Sequence, residues 1–286
     1  MAEKVLITGG SGFLGSALVP EFQQAGSVVS LGHRQTRGGE AMADLRLRES
    51  VEEILRAVKP DLVIHAAAYR DPDYCEMNPV ESVRLNVGST KHLVDLLPKD
   101  THFVYISSDY VFDGASAPYA EDDVRNPVNV YGQQKVSSED LVSQRINSTI
   151  IRMPVLIGRD LPDKPGFITK MKETIKDNQR ESVLDDVLIR FPTWIEDVAK
   201  AVRFLGEQRV EGVFHASANQ GGTRYGLNRE MADYLGASFD HVQPSREVVC
   251  RGAKRPADTQ LTTEKLNKLG FSGFRSFSEV LELPDW

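Results

Sequence analysis

An apolar run, Val5-Leu6-Ile7-Thr8, passes straight into Gly9-Gly10-Ser11-Gly12-Phe13-Leu14-Gly15, and helical spacing follows through Phe22. This strand–turn–helix order constrains the fold more than any other feature of the chain. A short run without polar alternation suits a strand buried on both faces. In such a unit the first glycine permits the tight turn. The second admits a pyrophosphate close to the backbone, and the third lets helix and strand pack. The helix N-terminus then presents free N–H groups and a partial positive charge to phosphate. An ordinary glycine-rich turn is the competing reading, and the strand–turn–helix setting weighs against it. Gly9, Gly12 and Gly15 are therefore candidate dinucleotide-binding residues.

The rest of the first half repeats the alternation. Strands are expected at 27–31, 42–44, 61–66, 102–106 and 149–152. Helical spacing covers 51–58, 79–97 and 130–144. Alternating strands and helices imply βαβ units and a parallel sheet. The expected fold is α/β: a doubly wound, six-stranded Rossmann sheet over residues 1–152, then a smaller mixed α/β C-terminal substrate lobe over 153–286, with some elements shared. Pro154, Pro162 and Pro165 mark loops at the junction. Helices are expected in the lobe at 167–177, 195–207, 225–235 and 263–269, and a strand at 212–215. A lobe of this kind closes over a substrate at the carboxyl ends of the strands.

Composition removes several function classes. A net charge of −7 and a pI near 5.5 argue against a general nucleic-acid binder, which needs a basic face. Two cysteines, Cys75 and Cys250, allow neither a disulfide scaffold nor a cysteine-based zinc site. No His-x-x-x-His or carboxylate cluster suggests a metal, so none is expected. The N-terminal residues enter the first strand at once, so no signal peptide is expected. No apolar run approaches membrane-spanning length. A reducing, cytoplasmic setting is the expectation.

The second strand ends in Gly32-His33-Arg34, with Arg37 nearby, where a dinucleotide site selective for an unphosphorylated ribose carries an acid. A guanidinium pairs with a 2′-phosphate in a bidentate way, so His33 and Arg34 favour NADP over NAD. A solvated loop charge is the alternative reading of Arg34. Asp44-Leu45 ends the third strand, where an adenine amino group would find an acceptor.

Tyr131 and Lys135 stand at i, i+4 on an expected helix and share a face. An ammonium close to a phenol favours the phenolate and lowers its pKa from about 10. Such a tyrosine exchanges a proton with a carbonyl or alcohol oxygen near neutral pH. Ser108, at the end of the fifth strand, can hydrogen-bond the reacting oxygen. Ser108, Tyr131 and Lys135 are the candidate catalytic residues. Asp109 is close enough to Ser108 to border a substrate. His65 is expected to pack near the cofactor rather than to bind metal, and Trp194 and Trp286 to be packing residues.

These residues resemble the extended short-chain dehydrogenase/reductases, and more closely the dTDP-4-dehydrorhamnose reductase-like branch. That branch includes the regulatory β subunit of methionine adenosyltransferase. The resemblance rests on Thr8–Gly15, His65-Ala-Ala-Ala68, Asn86-Val87, the stretch Tyr105-Ile-Ser-Ser-Asp-Tyr-Val-Phe-Asp-Gly114, Tyr131–Lys135, Arg190-Phe-Pro-Thr193 with Asp197-Val-Ala199, and Gly252-Ala-Lys-Arg-Pro256 with Gln260-Leu261. It implies that Phe13, Leu14, Ala66, Ala67, Ala68 and Asn86 join the glycines, Tyr131 and Lys135 around NADP. It also places Asp109, Val111, Arg190 and Arg255 as candidates on the substrate side. One departure stands out. Arg152-Met-Pro-Val155 occupies the place of the Arg-Thr-Ser-Trp-like sequence usual in the sugar-nucleotide reductases, and looks more like the β subunits. The implied function is an NADPH-dependent reductase of a keto group, such as C4 of a nucleotide sugar. The alternative is an NADP-binding regulatory subunit without turnover, docked on a methionine adenosyltransferase catalytic subunit. A homodimer is common in the wider family.

Overall fold

The computed structural model describes residues 3–24, 26–32, 41–161, 166–178, 180–248 and 252–284. The first half runs β1 (Lys4–Thr8), α1 (Gly15–Gln23), β2 (Ser27–Gly32), β3 (Ala41–Met42), α2 (Arg48–Val58), β4 (Leu62–His65), α3 (Pro72–Met77), α4 (Pro79–Asn86), α5 (Gly88–Leu96), β5 (His102–Ile106), α6 (Val130–Ser143) and β6 (Ser148–Arg152). The second half adds β7 (Leu156–Ile157), α7 (Phe167–Lys176), β8 (Ser182–Asp185), β9 (Thr193–Trp194), α8 (Ile195–Glu207), β10 (Gly212–His215), α9 (Arg224–Leu235), β11 (Val242–Ser245), α10 (Glu264–Lys268) and α11 (Phe277–Leu281).

The main sheet is parallel, in the order β10-β6-β5-β4-β1-β2-β3. This is the doubly wound order with one strand more than expected. The seventh strand, β10, comes from the second half and pairs with β6. Side chains alternate across each strand, so both faces need apolar residues. Val5, Ile7, Leu62, Ile64, Val104 and Ile106 meet α1 and α8 on one face. Leu6, Val63, Phe103 and Tyr105 meet the layer of α2 and α5 on the other. That two-sided burial is why these strands read as unbroken apolar runs. Each such side chain contributes about 1.5–3 kcal/mol when fully buried.

The expected helix over 79–97 is two helices, α4 and α5, meeting at Val87 (φ −101°) just before Gly88. Helical bonds continue across the junction, Val87 N to Val83 O at 3.0 Å and Lys91 N to Val87 O at 2.9 Å. Helix α3 was not expected from spacing, although Asp71-Pro72 carries its start signal. Asp71 caps Asp73 N, and Pro72 occupies the first turn, where a missing N–H costs nothing.

The C-terminal lobe has its own apolar cluster, including Ile168, Met171, Trp194, Met231 and Phe277. A two-stranded parallel ladder, β8 with β11, lies beside it. Residues 252–262 then run back to the carboxyl edge of the main sheet. Ala253 N donates to Asp73 Oδ1 at 2.9 Å, Asp258 N to Gly114 O at 3.3 Å, and Tyr119 N to Gln260 O at 2.8 Å. Among the described residues no helix is long and apolar enough to cross a membrane.

Candidate active site

The parallel register brings Thr8, His65 and Tyr105 side by side. The carboxyl ends of β1, β4, β5 and β6 therefore open on one edge, where a doubly wound sheet binds its ligands. The glycine turn leaves β1 there. Gly9 has φ +73°, and a Cβ on it would lie 2.8 Å from Ala67 N. Gly12 N donates to Gly9 O at 2.9 Å and closes the turn. A Cβ on Gly15 would fall 2.3 Å from the carbonyl oxygens of both Gly9 and Gly10. Side chains at 9 or 15 would collide with backbone, so the turn stays bare and leaves a cradle at the start of α1 that fits the pyrophosphate of a dinucleotide. Phe13 and Leu14 form its outer turn, and the Arg70 guanidinium lies 6.0 Å from the Phe13 ring centroid. His33 and Arg34, the residues expected to read the ribose, lie outside the described residues, as does Arg37.

Ala66, Ala67 and Ala68 follow β4 beside the cradle, with Ala67 N donating to Thr8 Oγ1 at 3.2 Å. Asn86 is buried and holds this segment in place. Its Oδ1 accepts from Tyr69 N at 2.8 Å, while its Nδ2 donates to Tyr69 O at 3.0 Å and to Gln134 Oε1 at 2.7 Å. Asn86 thus ties the cofactor-side loop to α6. Asp44 lies two residues beyond β3 rather than within it. Its oxygens accept from Arg46 Nε at 2.9 Å and Nη2 at 2.8 Å. The Leu45 side chain is buried in the core, and its carbonyl oxygen lies 3.2 Å from His92 Nδ1.

His65 is packed beneath the cradle. Its Nδ1 is 2.7 Å from Thr8 Oγ1, and its Nε2 is 3.1 Å from Thr90 Oγ1. Burial, with Lys135 nearby, pushes its pKa down to about 3. Burial likewise lowers His215 to about 3 and His102 to about 4. These imidazoles are neutral in the fold, whereas in the unfolded chain they take protons below about 6.5. Stability is therefore expected to fall as pH drops from about 6.5 towards 3, by at most about 1.4 kcal/mol per pH unit for each group. Urea midpoints across that range check this, and His65→Asn should flatten the slope.

Helix α6 carries the catalytic candidates. Asn129 caps it through Gly132 N at 2.8 Å, which sets Tyr131 in the first turn. Tyr131 and Lys135 are both buried. Ser108 follows β5, where its Oγ accepts from Tyr110 N at 3.2 Å and lies 2.9 Å from Asp109 Oδ1. Lys135 Nζ donates to Ile106 O at 2.8 Å and stands 5.8 Å from the Tyr131 ring centroid. Burial lowers the Lys135 pKa to about 8, with Glu139 opposing. The expected lowering of the phenol by the ammonium is not what this geometry gives. Burial raises the Tyr131 phenol above its ordinary value, and the Ser108 hydroxyl only partly offsets it. Tyr131 is held as a neutral acid.

Two of the four substrate-side candidates are engaged elsewhere. Val111 is fully buried in an apolar cluster with Phe112, Tyr119 and Leu261, so its side chain supports the loop rather than facing a ligand. Arg255 grips Asp73 with both Nη atoms, at 3.0 and 2.8 Å, and its Nη1 also donates to Ala253 O at 2.6 Å. It fastens the 252–262 segment to α3. Arg190 is half-buried, and its Nη1 donates to Ile189 O at 2.7 Å and Pro256 O at 3.1 Å. Its charge acts on both Asp109 and Tyr110.

Glu139 was missed, although its place four residues after Lys135 puts it on the same face of α6. It is buried and accepts from Ser107 Oγ at 2.5 Å, from Arg152 Nε at 2.9 Å and Nη2 at 2.8 Å, and from Arg125 Nη1 at 3.2 Å. This one carboxylate fixes the ends of β5 and β6 against α6. Thr259, whose hydroxyl reaches Asp109 Oδ2, had no signal in the sequence.

Known proteins resemble this chain in sequence and fold. The β subunit of methionine adenosyltransferase 2 from Mus musculus is 34% identical over 293 residues, spanning 100% of this chain and 88% of the relative. The dTDP-4-keto-6-deoxy-D-glucose reductase of Streptomyces niveus is 29% identical, over 98% of this chain and 96% of the relative. The crystal structure of dTDP-4-dehydrorhamnose reductase from Bacillus anthracis in complex with NADP superposes with a TM-score of 0.87. It is 25% identical and covers 99% of this chain and 98% of that chain. The family described as "RmlD substrate binding domain" matches residues 3–283, and the chain belongs to it.

Proposed function

We propose that the protein is an NADPH-dependent reductase that converts the 4-keto group of a deoxy nucleotide sugar to an alcohol. The observation that carries the reading is the buried, neutral Tyr131 phenol beside Ser108 and Lys135, at the same sheet edge as the glycine cradle. The glycine cradle would hold the pyrophosphate of NADPH, whose reduced nicotinamide would supply the hydride. Tyr131 gives its proton to the carbonyl oxygen and is left as phenolate. Lys135, one turn along α6, stabilises that phenolate by its charge. Ser108 hydrogen-bonds the same oxygen, and the rigid ends of β5 and α6 hold the reacting groups in place. Arg34 supports NADPH over NADH, since a guanidinium suits a 2′-phosphate.

Arg190 is the anchor for the anionic part of the substrate: its Nη1 donates to two backbone carbonyls, its side chain also hydrogen-bonds Tyr110 beside Ser108 and Asp109, and the five-donor guanidinium has further N–H groups for an anion. Arg190→Gln is expected to raise KM for the sugar about tenfold or more, with a smaller change in kcat. The reading as a whole is tested by following NADPH oxidation with dTDP-4-keto-6-deoxy-D-glucose as probe. Oxidation that requires the sugar supports it, and no oxidation with this or other 4-keto nucleotide sugars contradicts it.

The likeness to the methionine adenosyltransferase β subunit, with the Arg152-Met-Pro-Val155 segment, favours a second reading as a cofactor-binding regulatory subunit. NADPH binding without oxidation, joined to recovery of a methionine adenosyltransferase catalytic subunit on co-expression, would select it.

A further inference from the structure

Asp109 sits directly after Ser108 and is 3% exposed. Ser108 Oγ meets one oxygen and the Thr259 hydroxyl meets the other. Among the described residues no cation is in ion-pair contact with it. The other buried acids here are different: Glu139 pairs with Arg152 at 2.8 Å, and Asp197 pairs with Arg275. A buried carboxylate met by two hydroxyls and its own backbone N–H, without an ion-pair partner among the described residues, is expensive to ionise, and such surroundings favour the neutral acid. Several groups act on it. The Thr259 and Ser108 hydroxyls, the Arg190 charge and Asp109's own backbone N–H favour the carboxylate, while the neighbouring Tyr110 and Tyr131 phenols stay neutral and bring no opposing charge. Burial outweighs these and pushes the Asp109 pKa up.

The hydrogen count at Ser108 then decides what the serine can do. Its oxygen has two lone pairs and one hydrogen. Tyr110 N uses one lone pair. If Asp109 is ionised, the serine hydrogen goes to Asp109, and Ser108 has none left for a substrate oxygen. If Asp109 is neutral, Thr259 donates to Oδ2 and the acid hydrogen on Oδ1 fills the second lone pair of Ser108. The serine hydrogen then turns to the Tyr131 oxygen, and to the carbonyl oxygen once a substrate engages Tyr131.

We propose that Asp109 works as a neutral carboxylic acid that donates to Ser108 Oγ, and so turns the Ser108 hydroxyl into a donor to the substrate carbonyl. Asp109 is a positioning residue, and only the identity of the acceptor rests on the reductase reading. As pH rises and Asp109 ionises, this donor is lost. Asparagine reproduces the neutral acid, with Nδ2 donating to Ser108 and Oδ1 accepting from Thr259, and cannot ionise.

Two measurements test this. The first is infrared difference spectroscopy of the whole protein carrying ¹³C-labelled aspartate, wild type against Asp109→Asn, without any substrate. A carboxylic-acid C=O band at neutral pH that disappears in the variant is expected, and a carboxylate band in its place overturns the proposal. The second is the pH profile of kcat with NADPH and dTDP-4-keto-6-deoxy-D-glucose. Asp109→Asn should exceed Asp109→Leu by about a hundredfold, the size of one lost donor to the reacting oxygen. It should also lose one ionisation from the alkaline limb, while the Lys135 ionisation remains. Equal rates for the two variants, or an unchanged alkaline limb, overturn the proposal. If the wild type oxidises no NADPH, the reductase reading fails along with the role given to Ser108, and the acid band still decides the protonation of Asp109.

Discussion

Tyr131→Phe is expected to bind NADPH as the wild type does and to lose turnover by about 10²–10⁴-fold, the usual contribution of a positioned proton donor. The phenyl ring keeps the edge-on contact with Tyr110, whose ring centroid lies 5.9 Å away, and the Asn129 cap on α6 is untouched. Only the hydroxyl is removed. The carbonyl oxygen then has Ser108 as a hydrogen-bond donor but no acid positioned to protonate it. Cofactor fluorescence titration checks the first half of the expectation, and NADPH oxidation with a 4-keto nucleotide sugar checks the second. Because burial holds the phenol neutral, the wild type should not need low pH to carry its proton.

Arg152→Met is expected to cost about 3–5 kcal/mol of folding stability, because it leaves a buried carboxylate without its partner. Glu139 and Arg152 have side chains only 2% and 3% exposed, and they share two hydrogen bonds. Arg125 remains, but at 3.2 Å and with a side chain 30% exposed it cannot replace a buried bidentate partner. Arg152 also donates to Glu121 O at 3.0 Å, so the loop before α6 loosens as well. A urea titration reads the loss. The double variant Arg152→Met/Glu139→Leu should recover part of it, since removing both charges removes the desolvation penalty. It should not recover all, because Ser107 Oγ then loses its acceptor.

The sequence carried the sheet and the catalytic helix well, for identifiable reasons. Strands buried on both faces announce themselves as apolar runs, and Gly9, Gly12 and Gly15 fix a turn that few other contexts require. Tyr131 and Lys135 are linked by helical spacing, a local property. Contacts between distant segments left no such trace. Thr259 reaches Asp109 across 150 residues, and Arg255 reaches Asp73 across 182. For Arg255 the likeness to known motifs pointed to a ligand anchor, whereas the nearest carboxylate in the fold has already claimed it. Burial was equally hidden. The sequence places an ammonium beside a phenol, but only the fold shows that the phenol is buried and raised by desolvation. Strand β10 was recognised as a strand, yet its membership of the main sheet depends on a chain path that spacing does not encode.

Transfer of deuterium from NADPH labelled at the nicotinamide C4 tests the central claim most directly. The expected result is a sugar alcohol carrying deuterium on the former carbonyl carbon, formed by the wild type and not by Tyr131→Phe. Tight NADPH binding with no deuterium in any 4-keto nucleotide sugar would contradict the account and leave the protein as a cofactor-binding subunit.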